Sequence, residues 1–541
     1  MSLKNLKSEY GLALASGACL ALSFLPFHIA PLLVAHAALL LWACLTAQTV
    51  KRAFWAGVIV SFVFNLLIAW WLTYAIHVFG YLPYPIAALI FLVFCSGGAV
   101  NFPLFALFTF YFSRRYQMDS RGPLARGFWL VIALPAAFVV VEWISPKLFP
   151  SYIGHALYWL PLLTQISELT GAIFLSFLAM SLGGSFVLLA QKKYKQQPIS
   201  WSFFSVPWVL LLFVLSFGTV RIAQTPPEMK RFRVALIQAN IGSLEKVQAE
   251  KGYYPKVRKV ISEYKRITQE AIASGAKPDL VVWPETAMPI QLDRPSAFST
   301  EVFRFSKEIG VPLLTGGYST HPLKPQTEYN AAFLISPTAK FSPEGVPALP
   351  DPYSEIYRKK VLLAFGEYFP FGETFPVLYQ WFPQVAAFGR GTEQNYFTLP
   401  NQMRLGITIC YEAIVPEFFR RTAEPGVNAV INLTNDSWFG PTTEPYHHGA
   451  LSIFRSVETR LPLIRVANTG ISFFVDRLGR MSRTTKVYEP GYLVEDIELP
   501  LAPPPPTLYL RWGDWFVALC AFVLLATVLT LRRLTRVSLS H

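Results

Sequence analysis

Arg404-Leu-Gly-Ile-Thr-Ile-Cys410-Tyr-Glu412 is a short apolar run, rich in β-branched residues, that passes after its cysteine into a helix-like segment beginning near Ala413. It reads as a buried strand delivering Cys410 at its carboxyl end, where open α/β sheets place their chemistry. The other four cysteines, Cys19, Cys44, Cys95 and Cys520, all lie inside long apolar runs. Cys410 therefore has no sequence-local disulfide partner and is either an inert core thiol or a nucleophile.

Around this stretch the chain is unusually apolar. Its 541 residues are 53% hydrophobic and 15% charged, with mean hydropathy +0.38. Eight runs read as transmembrane helices, near residues 10–27, 29–45, 54–76, 84–112, 124–144, 163–190, 201–220 and 515–531. The first follows Lys4 and Lys7 in the manner of a signal peptide. It reads instead as a retained helix, because the second run follows with no polar mature segment between them.

The formal charge of +14 does not point to nucleic acid. Residues 231–500 hold 29 Lys+Arg against 27 Asp+Glu, and the other 18 basic residues, against 6 acidic ones, fall mostly in short loops beside the apolar runs. Lys4/Lys7, Lys51/Arg52, Arg114/Arg115/Arg121, Lys192/Lys193/Lys195 and Arg532/Arg533/Arg536 mark one side of a membrane, whereas loops 77–82 and 147–155 are poor in basic residues. By the positive-inside rule both termini are cytoplasmic, and the roughly 270 residues between the seventh and eighth runs lie outside. No RNA-binding, zinc-finger or basic-zipper signature accompanies this charge.

That long segment alternates strand and helix signals. Strands are expected at 231–240, 279–283, 311–318, 329–336, 404–410 and 428–433, with paired strands over 463–476. Helices are expected at 255–273 and 448–460, which together make a compact α/β domain. The Pro-rich stretch 502–506 is a stiff spacer back to the membrane. The implied domains are 1–221, 222–500 and 501–541.

Three stretches carry chemistry. Leu280-Val-Val-Trp-Pro-Glu285 is a strand stopped by Pro284, with Glu285 just beyond it. Tyr357-Arg-Lys359 leads through an apolar turn to Phe-Gly-Glu367, and the third stretch is Cys410-Tyr411-Glu412. A thiol, an amine and carboxylates near strand ends are the parts of an acyl-transfer site: a thiolate attacks a carbonyl, a carboxylate moves protons and an ammonium stabilises the oxyanion. Taken singly, Glu285 reads first as a helix cap, Lys359 as a solvated charge and Cys410 as packing.

In this order the stretches resemble the carbon–nitrogen hydrolase (nitrilase) superfamily with its Glu–Lys–Cys triad. The flanking helices, Leu433-Thr-Asn-Asp-Ser-Trp-Phe-Gly440, Gln238-Ala-Asn-Ile241, Glu142-Trp143 and Arg465-Val-Ala-Asn-Thr-Gly470 narrow the likeness to the apolipoprotein N-acyltransferase family, over nearly the whole chain. The resemblance implies an αββα sandwich inserted between membrane helices seven and eight. It makes Cys410 the nucleophile, Glu285 the general base and Lys359 the oxyanion-stabilising cation, with Glu367, Tyr411 and Glu412 in support and no cofactor or metal. Two positions depart from the family pattern: Val247 where an aromatic is usual, and Ala364 where Pro usually precedes Phe-Gly-Glu.

The implied reaction is ping-pong. Cys410 takes an acyl chain from a phospholipid, with phosphatidylethanolamine the expected donor, and a diacylglyceryl-cysteine lipoprotein takes it on its α-amine. The setting is then the bacterial inner membrane, with the catalytic domain periplasmic. A membrane-tethered amidase using the same triad, and a catalytically inactive lipid- or lipoprotein-binding domain, are the rival readings. Residues 367–389 interleave aromatics with Pro and Gly and read either as a lid dipping into the membrane interface or as a packed loop. Glu142 is either a functional intramembrane group or an interfacial one. Asn435-Asp436 reads as a turn near the pocket. His447-His448, with no carboxylate or cysteine noted at ligand spacing, reads as a helix start rather than a zinc site. No glycine-rich phosphate loop and no Gly-x-Ser-x-Gly elbow is present.

Overall fold

The computed structural model describes residues 9–537 apart from 227, 243–253, 276, 322–323, 339, 342–346, 349–355, 383–384, 400 and 425. Val247 lies outside the described residues. The chain forms two compact units, one of Met1–Gln224 with Thr507–His541 and the other of Thr225–Pro506.

Among the described residues of the first unit, six helices are long and apolar enough to cross a membrane: Val50–Ile68, Tyr84–Arg115, Pro123–Ile144, Ile173–Lys195, Trp201–Ala223 and Trp515–Arg533. Pro31–Thr46, with 16 residues, and Glu9–Ser23, with 15, are shorter. Several expected runs are subdivided. Residues 54–76 break after Ile68, and a separate short helix spans Leu72–Gly80. Residues 163–190 become helical over a long span only from Ile173, because Gly171 adopts φ +73° and stops the preceding turn.

Ile173–Lys195 is the helix most enclosed by its neighbours, whereas Trp201–Ala223 and Trp515–Arg533 turn most of their surface outward. Hydrogen bonds between helices supplement packing where lipid gives no hydrophobic driving force. Ser16 Oγ meets His36 Nδ1 at 2.9 Å, and Ser61 Oγ donates to the Cys95 carbonyl at 3.0 Å. Glu142 is buried, and one of its oxygens accepts the Ile153 amide at 2.7 Å, which gives it a structural task at the end of its helix.

The second unit is built on two sheets. Strands β1 (Met229–Gln238), β2 (Leu280–Val282), β3 (Leu313–His321), β4 (Lys324–Ile335), β5 (Ile356–Arg358) and β11 (Gly491–Pro500) form one, in the order β11-β1-β2-β3-β4-β5. Strands β6 (Tyr396–Thr398), β7 (Arg404–Ile409), β8 (Ala429–Thr434), β9 (Leu463–Ala467) and β10 (Phe473–Val475) form the other, in the order β10-β9-β8-β7-β6. Neighbours β1, β2 and β3 run parallel, as do β7, β8 and β9, and the outer pairs are antiparallel.

The two-residue period of a strand explains the layering. Val234, Leu236, Val282 and Leu314 meet Ile407, Ile409, Ile431, Leu433 and Val466 in one core between the sheets. The alternate residues Ala235, Ile237, Val281, Trp283 and Leu313 face outward onto Val257, Ile261 and Tyr264 of α1 (Tyr254–Ala273) and Val302 and Phe303 of α2 (Ala297–Ile309). Helices α3 (Pro416–Ala423) and α4 (Glu444–Thr459) pack on the second sheet. The central strands are apolar on both faces because each face is covered.

Of the labelled elements, four have no counterpart in the expectation from sequence: α2, β5, β6 and β11. Strand β11 lies at an edge, and its acidic Glu495, Asp496 and Glu498 interrupt the apolar pattern. The helix expected from residue 448 starts at Glu444, so His448 sits a full turn inside it.

Candidate active site

Each chemistry-bearing residue stands just past a strand, where the chain leaves the sheet and its side chain is free of the ladder. Pro284 ends β2 and leaves Glu285 in the turn. Gly316 on β3 permits that turn to close, since a Cβ there would lie 2.6 Å from the Pro284 carbonyl and 2.7 Å from the Glu285 Cα. Lys359 follows β5, its amide bonded to the Asn330 carbonyl at 2.8 Å. Cys410 follows β7 and adopts φ +51°, a left-handed conformation that non-glycine residues rarely hold outside sites that over-determine it.

Around Lys359 the groups converge tightly. Its Nζ lies 2.8 Å from Glu367 Oε1 and 3.3 Å from Glu285 Oε1, and the ammonium is only 1% exposed. Asn330 Nδ2 donates to the same two oxygens, at 2.7 Å for Glu285 and 3.0 Å for Glu367. Glu367 Oε2 accepts the Leu363 amide at 2.8 Å. Burial draws the Lys359 ammonium down, but Glu367 and Glu285, with Cys410 beside them, leave it raised, so it stays a cation.

Cys410 is buried at 7% exposure and feels these charges. Burial and Glu285 push its thiol well up, while Lys359 and a hydrogen bond with Thr434 pull it back. The thiol therefore ionises less readily than an ordinary one, in the field of the Glu285 carboxylate and the Lys359 cation. That combination suits nucleophilic attack on a carbonyl.

Glu412 links the two sheets. Its carboxylate accepts the Tyr357 hydroxyl at 2.8 Å, the Lys360 and Val361 amides at 2.7 and 3.0 Å, and the Ile409 amide at 2.8 Å. It thereby ties the chain after β5, which carries Lys359, to the end of β7, which carries Cys410. Burial pushes it up to about 7 against the pull of Lys359 and these amides. Tyr411 is pushed up to about 12 by burial and Tyr368, with Lys359 opposing, so it stands in the same electrostatic neighbourhood.

All six residues expected from sequence thus collect in one region, and Asn330 and Tyr357 join them. Asn330 gave no signal of its own, standing between the polar start of β4 and its apolar end, whereas Tyr357 was the first residue of the lysine stretch. The expectation for His447-His448 needs correcting. Glu444 stands four residues before His448, and Asp436, Glu444 and His448 place ligand-type atoms within 4.8 Å of one another, all buried. The cation in their midst is Arg465, whose Nη2 lies 3.0 Å from Asp436 Oδ2 and 3.1 Å from His448 Nδ1. Asn435 caps the turn Asp436–Phe439 through the Ser437 amide.

Residues 233–503 match the carbon–nitrogen hydrolase family model, and residues 16–185 match the apolipoprotein N-acyltransferase N-terminal domain. The chain belongs to the apolipoprotein N-acyltransferase family. It is 29% identical to the apolipoprotein N-acyltransferase of Bdellovibrio bacteriovorus, over 95% of this chain and 92% of that one. It is 28% identical to that of Geobacter metallireducens over 95% and 93%, and 30% identical to that of Bradyrhizobium diazoefficiens over 77% and 76%.

Proposed function

We propose that the protein moves an acyl chain from a phospholipid to the α-amine of a diacylglyceryl-cysteine lipoprotein through a thioester on Cys410. The observation that carries this reading is the Lys359–Glu285–Glu367 cluster with Cys410 in its field, in a chain whose relatives are named as acyltransferases over nearly their whole length. Glu285 takes the thiol proton as the sulfur attacks the ester carbonyl, and Lys359 stabilises the oxyanion. The carbon–oxygen bond breaks and the lysophospholipid leaves with the proton held by Glu285. The lipoprotein amine then attacks the thioester, and Glu285 takes its proton and passes it to the departing sulfur, which restores the Cys410 thiol. Phosphatidylethanolamine as donor follows from the family resemblance alone.

The same reading makes residues 1–221 a seven-helix membrane domain, residues 222–500 a periplasmic catalytic domain and the last helix an eighth span, with both termini cytoplasmic. Phe371, Phe375 and Trp381, all exposed, supply the rings of a lid that meets the bilayer interface. Incubation with labelled phospholipid and a lipopeptide acceptor tests the reading. An N-acyl peptide formed in step with lysophospholipid supports it, and release of free fatty acid in place of that peptide indicates a hydrolase.

A further inference from the structure

Beneath the strained Cys410 peptide lies a chain of buried polar groups that the proposed mechanism does not use. The Cys410 carbonyl faces the Asn432 side chain, whose Nδ2 donates to it at 3.3 Å and to Thr408 Oγ1 at 3.2 Å. Asn432 cannot turn its amide over, because its Oδ1 accepts Arg465 Nη1 at 2.7 Å. Arg465 in turn grips Asp436 through Nη2 at 3.0 Å. Asp436 Oδ1 lies 2.9 Å from His448 Nδ1, and the His448 ring faces the Cys410 carbonyl again, though no hydrogen bond closes to its Nε2.

Asn432, Arg465 and Asp436 are each 0% exposed and His448 is 4% exposed. Gly470 makes room for the carboxylate, since a Cβ there would lie 2.0 Å from Asp436 Oδ2. The circuit thus returns to the peptide it leaves, drawing on β8, β9, the turn after β8 and α4.

We propose that Asn432, oriented by Arg465 and Asp436 with His448 alongside, is a positioning residue that holds the Cys410 peptide in its left-handed conformation and so aims the sulfur. A left-handed cysteine persists only where its surroundings over-determine it, and the carbonyl grip from Asn432 is the contact that fixes the plane of the Cys410–Tyr411 peptide. The inference rests on Cys410 being the nucleophile.

Asn432→Asp tests it with almost no change of volume. The new carboxylate still pairs with Arg465, but it presents an oxygen, not an N–H, to the Cys410 carbonyl. Asn428→Asp is the control. Asn428 is also buried, at the entry to the same strand, but it serves the Arg404 amide and the Pro500 carbonyl instead.

In the full-length protein in detergent, Asn432→Asp is expected to stay folded with a lowered melting midpoint, since its new oxygen faces the Cys410 carbonyl, and to keep the phospholipid KM. Its rate of acyl-enzyme formation should fall about 10- to 100-fold, the penalty typical of a misplaced reacting group. Asn428→Asp should show no such fall. Wild-type acyl-enzyme formation in Asn432→Asp, or an equal loss in the control, overturns the inference.

If Asn432→Asp does not accumulate as folded protein, His448→Asn, which keeps a donor for Asp436, is compared with His448→Leu. Faster acyl-enzyme formation in the Asn variant supports the inference, and equal rates overturn it. Label persisting on a Cys410→Ala protein would instead remove the nucleophile assignment itself.

Discussion

Replacing Glu412 by Gln probes the joint that brings amine and thiol together. The carboxylate takes four donors, from Tyr357, Lys360, Val361 and Ile409, and is fully buried. A glutamine that keeps its oxygen on Tyr357, Lys360 and Val361 turns its NH2 toward the Ile409 amide. That buried donor, left without an acceptor, costs about 1–3 kcal/mol. In a unit of this size that lowers the melting midpoint by about 3–10 °C. The chains bearing Lys359 and Cys410 also lose their common anchor, and a displacement of about 1 Å costs about 100-fold in rate. Thermal unfolding of the detergent-solubilised protein, followed with turnover of labelled phospholipid, reads both effects. A midpoint unchanged within about 2 °C together with wild-type turnover refutes the reasoning, because the two sheets would then hold the site without this carboxylate.

Lys359→Met leaves Glu285 and Glu367 buried around one Asn330 amide with no cation, and removing one side of a buried pair costs about 3–5 kcal/mol. The melting midpoint should fall accordingly, and a midpoint equal to that of the wild type contradicts the pairing. Glu285→Gln removes a negative charge that raises the Cys410 thiol. Iodoacetamide should therefore label Cys410 faster in this variant at a given pH while acyl transfer is lost, and slower labelling contradicts the assignment. Serine at Phe371 and Trp381, exposed at 76% and 68%, should raise KM for phospholipid in vesicles while leaving kcat at saturation within about twofold.

Much of the candidate site was legible because polar residues at strand ends leave a plain mark: an apolar run, a stop such as Pro284, then a polar group. Glu285 and Cys410 could be placed in this way, and so could the alternation of strands and helices around them, whereas Lys359 and Glu367 stood out through the family resemblance. Legibility failed where a residue's role depends on long-range partners. Asn330, Asn432 and Arg465 sit inside strands and acquire meaning only when β4 meets Glu285 or β9 lies beside β8. Edge strand β11 escaped because half of it faces water. The first membrane unit was legible in its apolar runs but not in its interruptions, which Gly171 and residues 69–71 impose through backbone conformation rather than hydropathy.

The central claim is that Cys410 carries the acyl chain. Wild-type protein incubated with a phospholipid of defined chains, without acceptor, and then digested for mass spectrometry tests it most directly. The account predicts a Cys410 peptide heavier by one acyl group, cleared by hydroxylamine or by a lipopeptide amine. An acyl group found on another residue, or undiminished in Cys410→Ala, contradicts it.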